Sequence, residues 1–336
     1  MDIPGKYLLF VADAPDRLSA KTAFGLRDWA GEKCIAQWRT AECQVDLDLR
    51  DMSFESAYDA GARTLVIGIT PFGGALAPSW IDPLIAALKA GLNIASGMHV
   101  ALESVPEIAE AAKSYGRLLF NVRVPRQDYS VASGRKRSGK RLLMVGTDCA
   151  VGKKYSALAI AREMNARGLR ATFRATGQTG ILIAGDGVPM DAVKSDFVAG
   201  AAEALSPDNH PEHWDVIEGQ GSLFHPAYAG VALGLLHGSQ PDAFIVCHAA
   251  DRSHIDGYPA FAIPSLEKCI AVNLEAARLT NLQARCVGIS LNTSALPMAA
   301  RETALRDVAL ELGLPCVDPI LTGAAPLVDA LEITYG

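Results

Sequence analysis

The stretch VGTDCAVGKKYSALAI, residues 145–160, constrains the fold more than any other part of the chain. An apolar run, LLMV, leads into Gly146, and Gly152 and Lys153 then open a run of good helix formers. A glycine-rich turn between a strand and a helix directs several backbone N–H groups into one concavity, and the helix N-terminus adds partial positive charge. The stretch therefore predicts a phosphate-binding loop in an α/β sheet.

The loop departs from the usual Walker pattern at two positions. Five residues separate Gly146 from Gly152 instead of four, and Lys154 stands where Ser or Thr normally follows the lysine. That hydroxyl ordinarily binds Mg²⁺, which a second ammonium group repels. Ser156 is a poor substitute, because it lies about 200° further round a helix of 3.6 residues per turn. We therefore expect the loop to bind phosphates without a metal ion, through Gly146, Thr147, Gly152, Lys153 and Lys154.

Strand-like and helix-like segments alternate along the whole chain, which favours parallel sheets with helices on their faces. Strands are predicted at 7–13, 64–69, 92–97, 141–145, 171–174, 215–218, 243–247 and 286–291, and a helix at 80–90. The glycine-rich segment 70–80 is interpreted as a loop at the carboxyl edge of the first sheet. The segment QDYSVASGRKRSGK has no periodicity and predicts a solvated linker. We predict domains at 1–127 and 141–336, joined by a linker at 128–140.

Charge and cysteine content bear on partners and location. The chain has 31 basic and 37 acidic residues and a formal charge of −6, so neither nucleic acid nor an anionic membrane is expected as a partner. No apolar run approaches the length of a membrane span, and the N-terminal residues lack the pattern of a signal peptide. The 7 cysteines are dispersed without a CxxC, which predicts reduced thiols in a cytoplasmic protein.

Two segments at strand ends resemble the dethiobiotin synthetases. The run GTDCAVGK resembles their GTDTxVGK loop, which also has five intervening residues. DVIEGQGSL resembles their VEGAGG strand end, where an acidic residue faces the phosphate loop, and Glu218 is the matching carboxylate. In GISLNTS, Asn292 stands at a strand end where that superfamily often holds the edge of a nucleotide base. These segments are expected to converge beyond the carboxyl ends of the strands.

A closer resemblance covers nearly the whole chain. The segments FRATGQTGILIAG, WDVIEGQGSLFHPAYAGVALGLLHGSQPDAFIVCH and YLLFVADAPDRLSAKTAFGLRDW, with the loop itself, resemble the bacterial D-glutamate N-acetyltransferases. The resemblance implies a Rossmann-like N-terminal domain and a P-loop C-terminal domain. It also implies transfer of an acetyl group from acetyl-CoA to the amino group of D-glutamate, ahead of a partner racemase. A loop without its magnesium-binding hydroxyl suits coenzyme A, whose phosphates serve as a handle and do not react.

Acetylating an amine requires a base, because only the neutral amine attacks a thioester. The candidate bases are Glu218, Asp148, His225 and His248. For each of them a structural carboxylate, a loop cap or a satisfied histidine is the alternative. Arg174 and Arg252 are the candidate clamps for the substrate carboxylates. Cys149 is interpreted as a small loop residue and not as an acyl-carrying nucleophile, because no histidine is adjacent in sequence to activate it.

Two other functions stay open at this point. One is an ATP-dependent kinase or ligase of the dethiobiotin synthetase type, in which Glu218 and Asp148 supply the magnesium ligands. The other is a non-catalytic sensor of a nucleotide or of coenzyme A. A homo-oligomer is expected for a metabolic enzyme of this size, although no segment of the sequence shows the interface.

Overall fold

A computed structural model describes residues 3–70, 75–125 and 127–336 of the chain. The chain divides into two compact units: one contains residues 1–126 and 181–189, and the other contains 127–180 and 190–336. Within the described ranges, none of the helices combines the length and the apolar character that a membrane span requires. Domain boundaries at 127 and 141, with a linker between them, remain our proposal.

The first unit contains a five-stranded parallel sheet with strand order β2-β1-β3-β4-β5. Its main elements are β1 (Tyr7–Ala12), α1 (Lys21–Trp29), β2 (Cys34–Arg39), α2 (Phe54–Asp59), β3 (Thr64–Ile67), α3 (Ile81–Lys89), β4 (Asn93–Ser96), α4 (Pro106–Tyr115) and β5 (Leu119–Asn121). Every residue of β1 is buried, as expected for a central strand of a parallel sheet. The three strands and the helix predicted in this region are confirmed, whereas β2 and β5 were missed. Residues 71–74 of the predicted loop at 70–80 lie outside the described residues.

The second unit contains a six-stranded parallel sheet with strand order β13-β12-β9-β6-β8-β7, and a small antiparallel hairpin, β10-β11. In chain order the elements from here on are β6 (Lys140–Gly146), α5 (Lys153–Ala166), β7 (Ala171–Arg174), α6 (Gln178–Ala184), α7 (Val198–Leu205), β8 (Trp214–Ile217), α8 (Ala229–Ser239), β9 (Ala243–Ala249), β10 (His254–Ile255), β11 (Tyr258–Ala262), α9 (Leu266–Arg278), β12 (Arg285–Asn292), α10 (Met298–Leu312), β13 (Cys316–Val317) and α11 (Ala325–Tyr335). All five strands predicted in this region are confirmed.

The strand order places the phosphate loop at a topological switch point. From β6 the chain passes to β7 at the edge of the sheet and returns to β8 beside β6. It then crosses to β9, on the other side of β6. Ligands of open α/β sheets bind where the strand order reverses in this way, outside the carboxyl ends of the strands. The loop that follows β6 occupies this position in the second unit.

The basic segment before β6 differs from the solvated linker that we expected. Arg141 is the largest fully buried side chain, and its guanidinium donates to five backbone carbonyls, those of residues 137, 138, 139, 206 and 207. Arg137 is also buried and donates to the carbonyls of Ser206, Gly238 and Ser239. Burial lowers the pKa of Arg137 to about 10. The composition of the segment suggested solvent exposure, but its arginines satisfy carbonyl groups inside the unit.

Replacing Arg141 should therefore destabilise the protein. Arg141→Met keeps an apolar side chain in place but leaves several buried carbonyls without a donor, which costs on the order of 3 kcal/mol. Urea unfolding measures the loss. Arg135→Met is the matched control, because Arg135 is exposed and pairs only with Asp208 at the surface, and its unfolding midpoint should hardly move. An equal effect of the two substitutions would contradict this account of the segment.

Candidate functional site

The loop between β6 and α5 presents unbonded backbone donors. β6 ends at Gly146, and α5 begins at Lys153 without a side-chain cap. Gly152 has φ +106°, a left-handed conformation that strains any residue with a side chain. In the part of the chain that the structure describes, the N–H groups of Ala150, Val151 and Gly152 donate to no other group. Successive free donors at a helix N-terminus form an anion-binding concavity.

Lys153 is buried beside these donors. Its ammonium donates to the backbone carbonyl of Asp148 over 2.6 Å, and among the described residues no carboxylate lies within ion-pair distance. Burial lowers the pKa of Lys153, because the charged form loses its hydration. A Cβ at Gly219 would lie 1.7 Å from the backbone carbonyl oxygen of Met144 and 2.8 Å from Cδ of Lys153, so this position after β8 requires glycine. The ammonium thus lacks the anion that would stabilise its charge.

Asp148 connects the loop to the hairpin. Its Oδ1 accepts from the N–H of Cys149 over 2.6 Å, and its Oδ2 accepts from Arg252 Nη1 over 2.7 Å and from the N–H of Asp256 over 2.8 Å. Arg252 also donates to the carbonyl of Cys149. Both oxygens of this fully buried carboxylate are occupied. The geometry favours a positioning role for Asp148 over that of a base, and it commits one nitrogen of Arg252 to the loop.

Glu218 follows β8 directly and is buried. Its Oε2 accepts from the N–H groups of Thr176 and Gly177 over 2.9 and 3.1 Å, whereas Oε1 accepts no hydrogen bond from a described residue. Burial raises the pKa of Glu218, against the opposing charge of Lys154 and the two hydrogen bonds. A carboxylate with one fixed and one unbonded oxygen, and with a raised pKa, is a stronger base than an exposed glutamate.

His225, one of the candidate bases, lies beside the loop. Its Nδ1 accepts from the N–H of Ala227 over 3.1 Å, so the neutral ring carries its proton on Nε2. Ligand atoms of Asp148, Cys149 and His225 lie within 4.8 Å of one another. Because the aspartate oxygens are occupied and Nε2 carries a proton, this arrangement is better suited to donating a hydrogen bond than to binding a metal. That no metal binds remains a prediction.

The remaining loop residues have structural partners. The hydroxyl of Thr147 is 2.9 Å from His248 Nδ1, and burial lowers the pKa of His248, which keeps its ring neutral. Lys154, at the position of the usual magnesium-binding hydroxyl, follows Lys153 in the first turn of α5. The hydroxyl of Ser156 is 3.0 Å from the carbonyl of Gly152 and 2.7 Å from the hydroxyl of Ser290. It is therefore held against the sheet.

Two strand-end residues differ in their relation to the loop. Asn292 ends β12 near Gly152, and its Oδ1 accepts from the N–H of Ser294 over 3.0 Å. Arg174 donates through Nε to Asp215, near the start of β8, over 2.7 Å. Asp215 pairs with the residue two positions before Arg174, so the guanidinium points back along the sheet. The expected role of Arg174 in binding a substrate carboxylate is therefore not supported. Its guanidinium forms an ion pair with the buried carboxylate of Asp215, away from the edge of the sheet where the strands end.

Two tyrosine rings lie beside His225. The centroid of its ring lies 4.5 Å from that of Tyr228, three residues further on, and 5.1 Å from that of Tyr258 in the hairpin.

Thr176 and Gln220 lie beside Glu218. The hydroxyl of Thr176 donates to the carbonyl of Glu218, and Gln220 donates to the same hydroxyl. Sequence reasoning missed these neighbours. For Thr176 and Gln220 the signal was their position in glycine-containing runs after strands β7 and β8.

The two sheets and the loop define a two-unit α/β protein with a Rossmann-like unit and a P-loop unit. Residues 38–125 match the family model DUF1611_N, described as a Rossmann-like domain of unknown function. Residues 130–328 match DUF1611, described as a P-loop domain of unknown function. The chain belongs to the DUF1611 family.

Relatives within this family carry a more specific name. A D-glutamate N-acetyltransferase from Tritonibacter scottomollicae is 51% identical over 325 residues, covering 97% of this chain and 98% of that protein. Another from Pseudoalteromonas sp is 44% identical over 328 residues, covering 98% and 99%. The crystal structure of a DUF1611 family protein from Anabaena variabilis has a TM-score of 0.87 at 32% identity, covering 98% and 99%. The predicted family and fold class are confirmed.

Burial of Lys153 predicts proton uptake when an anion binds. Its pKa is lowered in the free protein, and a phosphate in the loop raises it again by favouring the charged form. Between the pKa of the free protein and the higher pKa of the complex, binding takes up a proton, so affinity falls by up to about tenfold per pH unit as the pH rises through this window. Calorimetric titration with ADP, in buffers of different ionisation enthalpy and at pH values where its phosphates are fully ionised, measures the uptake.

Lys153→Ala is the control for this measurement, because it keeps the loop but has no side-chain proton to gain. It should bind ADP roughly ten- to a hundredfold more weakly, since a charge-assisted contact is lost. It should also show no proton uptake. Equal uptake by the two proteins would show that the proton goes elsewhere.

Proposed function

We propose that this chain transfers the acetyl group of acetyl-CoA to the amino group of D-glutamate, releasing coenzyme A and N-acetyl-D-glutamate. The observation that carries the proposal is the similarity to two relatives named D-glutamate N-acetyltransferase, at 51% and 44% identity over nearly the full length. A homo-oligomeric, cytoplasmic enzyme that acts on small molecules is part of the same proposal.

The loop suits a phosphorylated donor that does not react at phosphorus. Unbonded N–H groups and the buried ammonium of Lys153 supply an anion cradle. Lys154 replaces the hydroxyl that would hold Mg²⁺, and the nearby Ser156 hydroxyl is bonded to the backbone and to Ser290. We assign this cradle to the phosphates of acetyl-CoA, together with Gly146, Thr147, Gly152 and Asn292.

Glu218 is our choice for the base. It would take a proton from the substrate ammonium, after which the neutral amine attacks the thioester carbonyl. When the tetrahedral intermediate collapses, the C–S bond breaks, the second proton of the attacking nitrogen passes to the leaving thiolate to give free coenzyme A thiol, and Glu218 returns its proton to solvent. Gly219, the next residue, packs on the Lys153 stem, so the base and the cradle are neighbours. The pantetheine arm of the donor must therefore fold back towards the loop for the thioester to reach Glu218.

His225 and Arg252 take supporting roles in this proposal. The Nε2 proton of His225 is a hydrogen-bond donor for the oxyanion that forms during attack. Arg252, whose side chain is 24% exposed, keeps nitrogens beyond the one bound to Asp148 and is our remaining candidate for a substrate carboxylate. Asp148 holds the loop, Arg252 and the hairpin turn in register.

The decisive assay mixes purified protein, acetyl-CoA and single amino acids, and follows the release of free thiol. D-glutamate should release thiol, and the rate should be unchanged in EDTA because no metal takes part. A kinase or ligase of the dethiobiotin synthetase type makes the opposite prediction, namely Mg²⁺-dependent release of ADP from ATP. If D-glutamate and related amino acids all release no thiol, the proposed function is wrong.

The raised pKa of Glu218 predicts the acidic limb of the pH profile. A base works only when it is deprotonated, so kcat/KM should fall as the pH falls through the pKa of Glu218, above the ordinary value of about 4.3 for a glutamate. Glu218→Gln should lower kcat by roughly 10²–10⁴-fold and remove this limb. Glu212→Gln, at an exposed position, is the control and should leave both unchanged. An effect of Glu218→Gln on the KM for acetyl-CoA alone would assign Glu218 to donor binding.

A further inference from the structure

One face of α9 carries an ordered stripe of acidic, apolar and basic residues. Glu267 lies in its first turn and Arg278 in its last, with Ile270, Ala271 and Leu274 between them. This spacing of three, four, seven and eleven residues places all five on the same face of a helix. The stripe runs from acid to base over about 16 Å, at 1.5 Å per residue.

The stripe forms one wall of an open groove in the second unit. A neighbouring face of α9, with Cys269, Asn273 and Ala277, is buried. The groove has a volume of about 770 Å³, and its other lining residues include Leu282, Arg285, Glu311, Leu312 and Leu314. Leu282 is 78% exposed. An apolar strip of this kind, bounded by charges, is typical of an interaction surface.

The charges at the two ends of the groove have no ion-pair partner of opposite sign among the described residues. At the acidic end Glu267 and Glu311 line the groove together, and the proximity of Glu267 raises the pKa of Glu311. At the basic end Arg278 and Arg285 form no ion pair with any residue that the structure describes. The groove therefore holds two neighbouring carboxyl groups without a cation and two guanidinium groups without an anion.

We propose that this groove is the interface of a two-fold homodimer, in which α9 of one copy packs antiparallel on α9 of a second copy. A two-fold axis through the centre of the stripe, between Ala271 and Leu274, places Glu267 of each copy opposite Arg278 of the other. In such an interface residue i meets residue j and j meets i, so both charge pairs form together. Ala271 at the centre lets the two helices approach closely.

The order of charges selects a second copy of this chain as the partner. When a second copy of α9 runs in the opposite direction, its basic end faces the acidic end of the first copy and its acidic end faces the basic end. The stripe is therefore complementary to a reversed copy of itself. Parallel packing of the same faces would place carboxylates on carboxylates and is excluded by like-charge repulsion. The groove lies within the second unit, and the proposal does not depend on the catalytic function.

Sedimentation equilibrium of the full chain tests this interface through a charge swap. The unchanged protein should be a dimer, and Arg278→Glu should raise the dimer Kd by about tenfold, because two Glu–Arg pairs become repulsive at once. The double variant with Glu267→Arg and Arg278→Glu restores both pairs and should recover the original Kd. Lys268→Glu is the control on the same helix, because Lys268 lies off the stripe, and it should leave the Kd unchanged.

Leu274→Asp provides a second test, which leaves the charged residues at the two ends of the stripe unchanged. A carboxylate at the centre of the interface should raise the dimer Kd by roughly a hundredfold or more. Circular dichroism and the thermal unfolding midpoint show whether each variant is folded, and the recovery of the double swap cannot arise from misfolding. A monomeric unchanged protein, or an unchanged Kd in both Arg278→Glu and Leu274→Asp, overturns the proposal. So does a folded double swap that fails to regain the dimer.

Discussion

The candidate site in the second unit is built around the buried ammonium group of Lys153, which has no carboxylate partner among the described residues. Lys153 opens α5 at the end of the phosphate loop, and its charge is met inside the protein by one backbone carbonyl, that of Asp148. Burying a charge without a counter-ion is costly, and the lowered pKa of Lys153 expresses that cost. The unbonded N–H groups of the loop likewise need a hydrogen-bond acceptor. An anion in the loop would relieve both, which supports our proposal that the loop binds phosphate.

The same unit buries a carboxylate near the lysine without pairing the two. Glu218 is held by backbone N–H groups of Thr176 and Gly177, and burial raises its pKa. A direct ion pair would have satisfied both residues and left neither available. Because they stay apart, the ammonium can bind an anion and the carboxylate can accept a proton. Burial moves the two pKa values in opposite directions, each towards neutral pH, as acid–base and anion-binding sites require.

Two further buried charges show how the fold keeps this arrangement rigid. Asp148 uses both oxygens to hold Cys149, Arg252 and Asp256, and so fixes the loop against the hairpin. Arg141 satisfies backbone carbonyls beneath the start of β6 and has no carboxylate within ion-pair distance among the described residues. In each case the charge is used to order backbone segments. These contacts hold the backbone segments that carry the groups to which we assign catalytic and anion-binding roles.

The sequence by itself determined three of the five strands of the first sheet, five of the six strands of the second, the loop between β6 and α5, and the family, because apolar runs and glycine spacing are local patterns. It also placed Glu218 and Asn292 at strand ends, where the topology of a parallel sheet brings them towards the loop. Only the tertiary structure decided what the side chains do there. It paired Arg174 with Asp215, occupied both oxygens of Asp148 and brought His225 beside Cys149. It also buried Arg141 and left one face of α9 open. These outcomes depend on contacts between residues far apart in the chain, and no local pattern encodes such contacts.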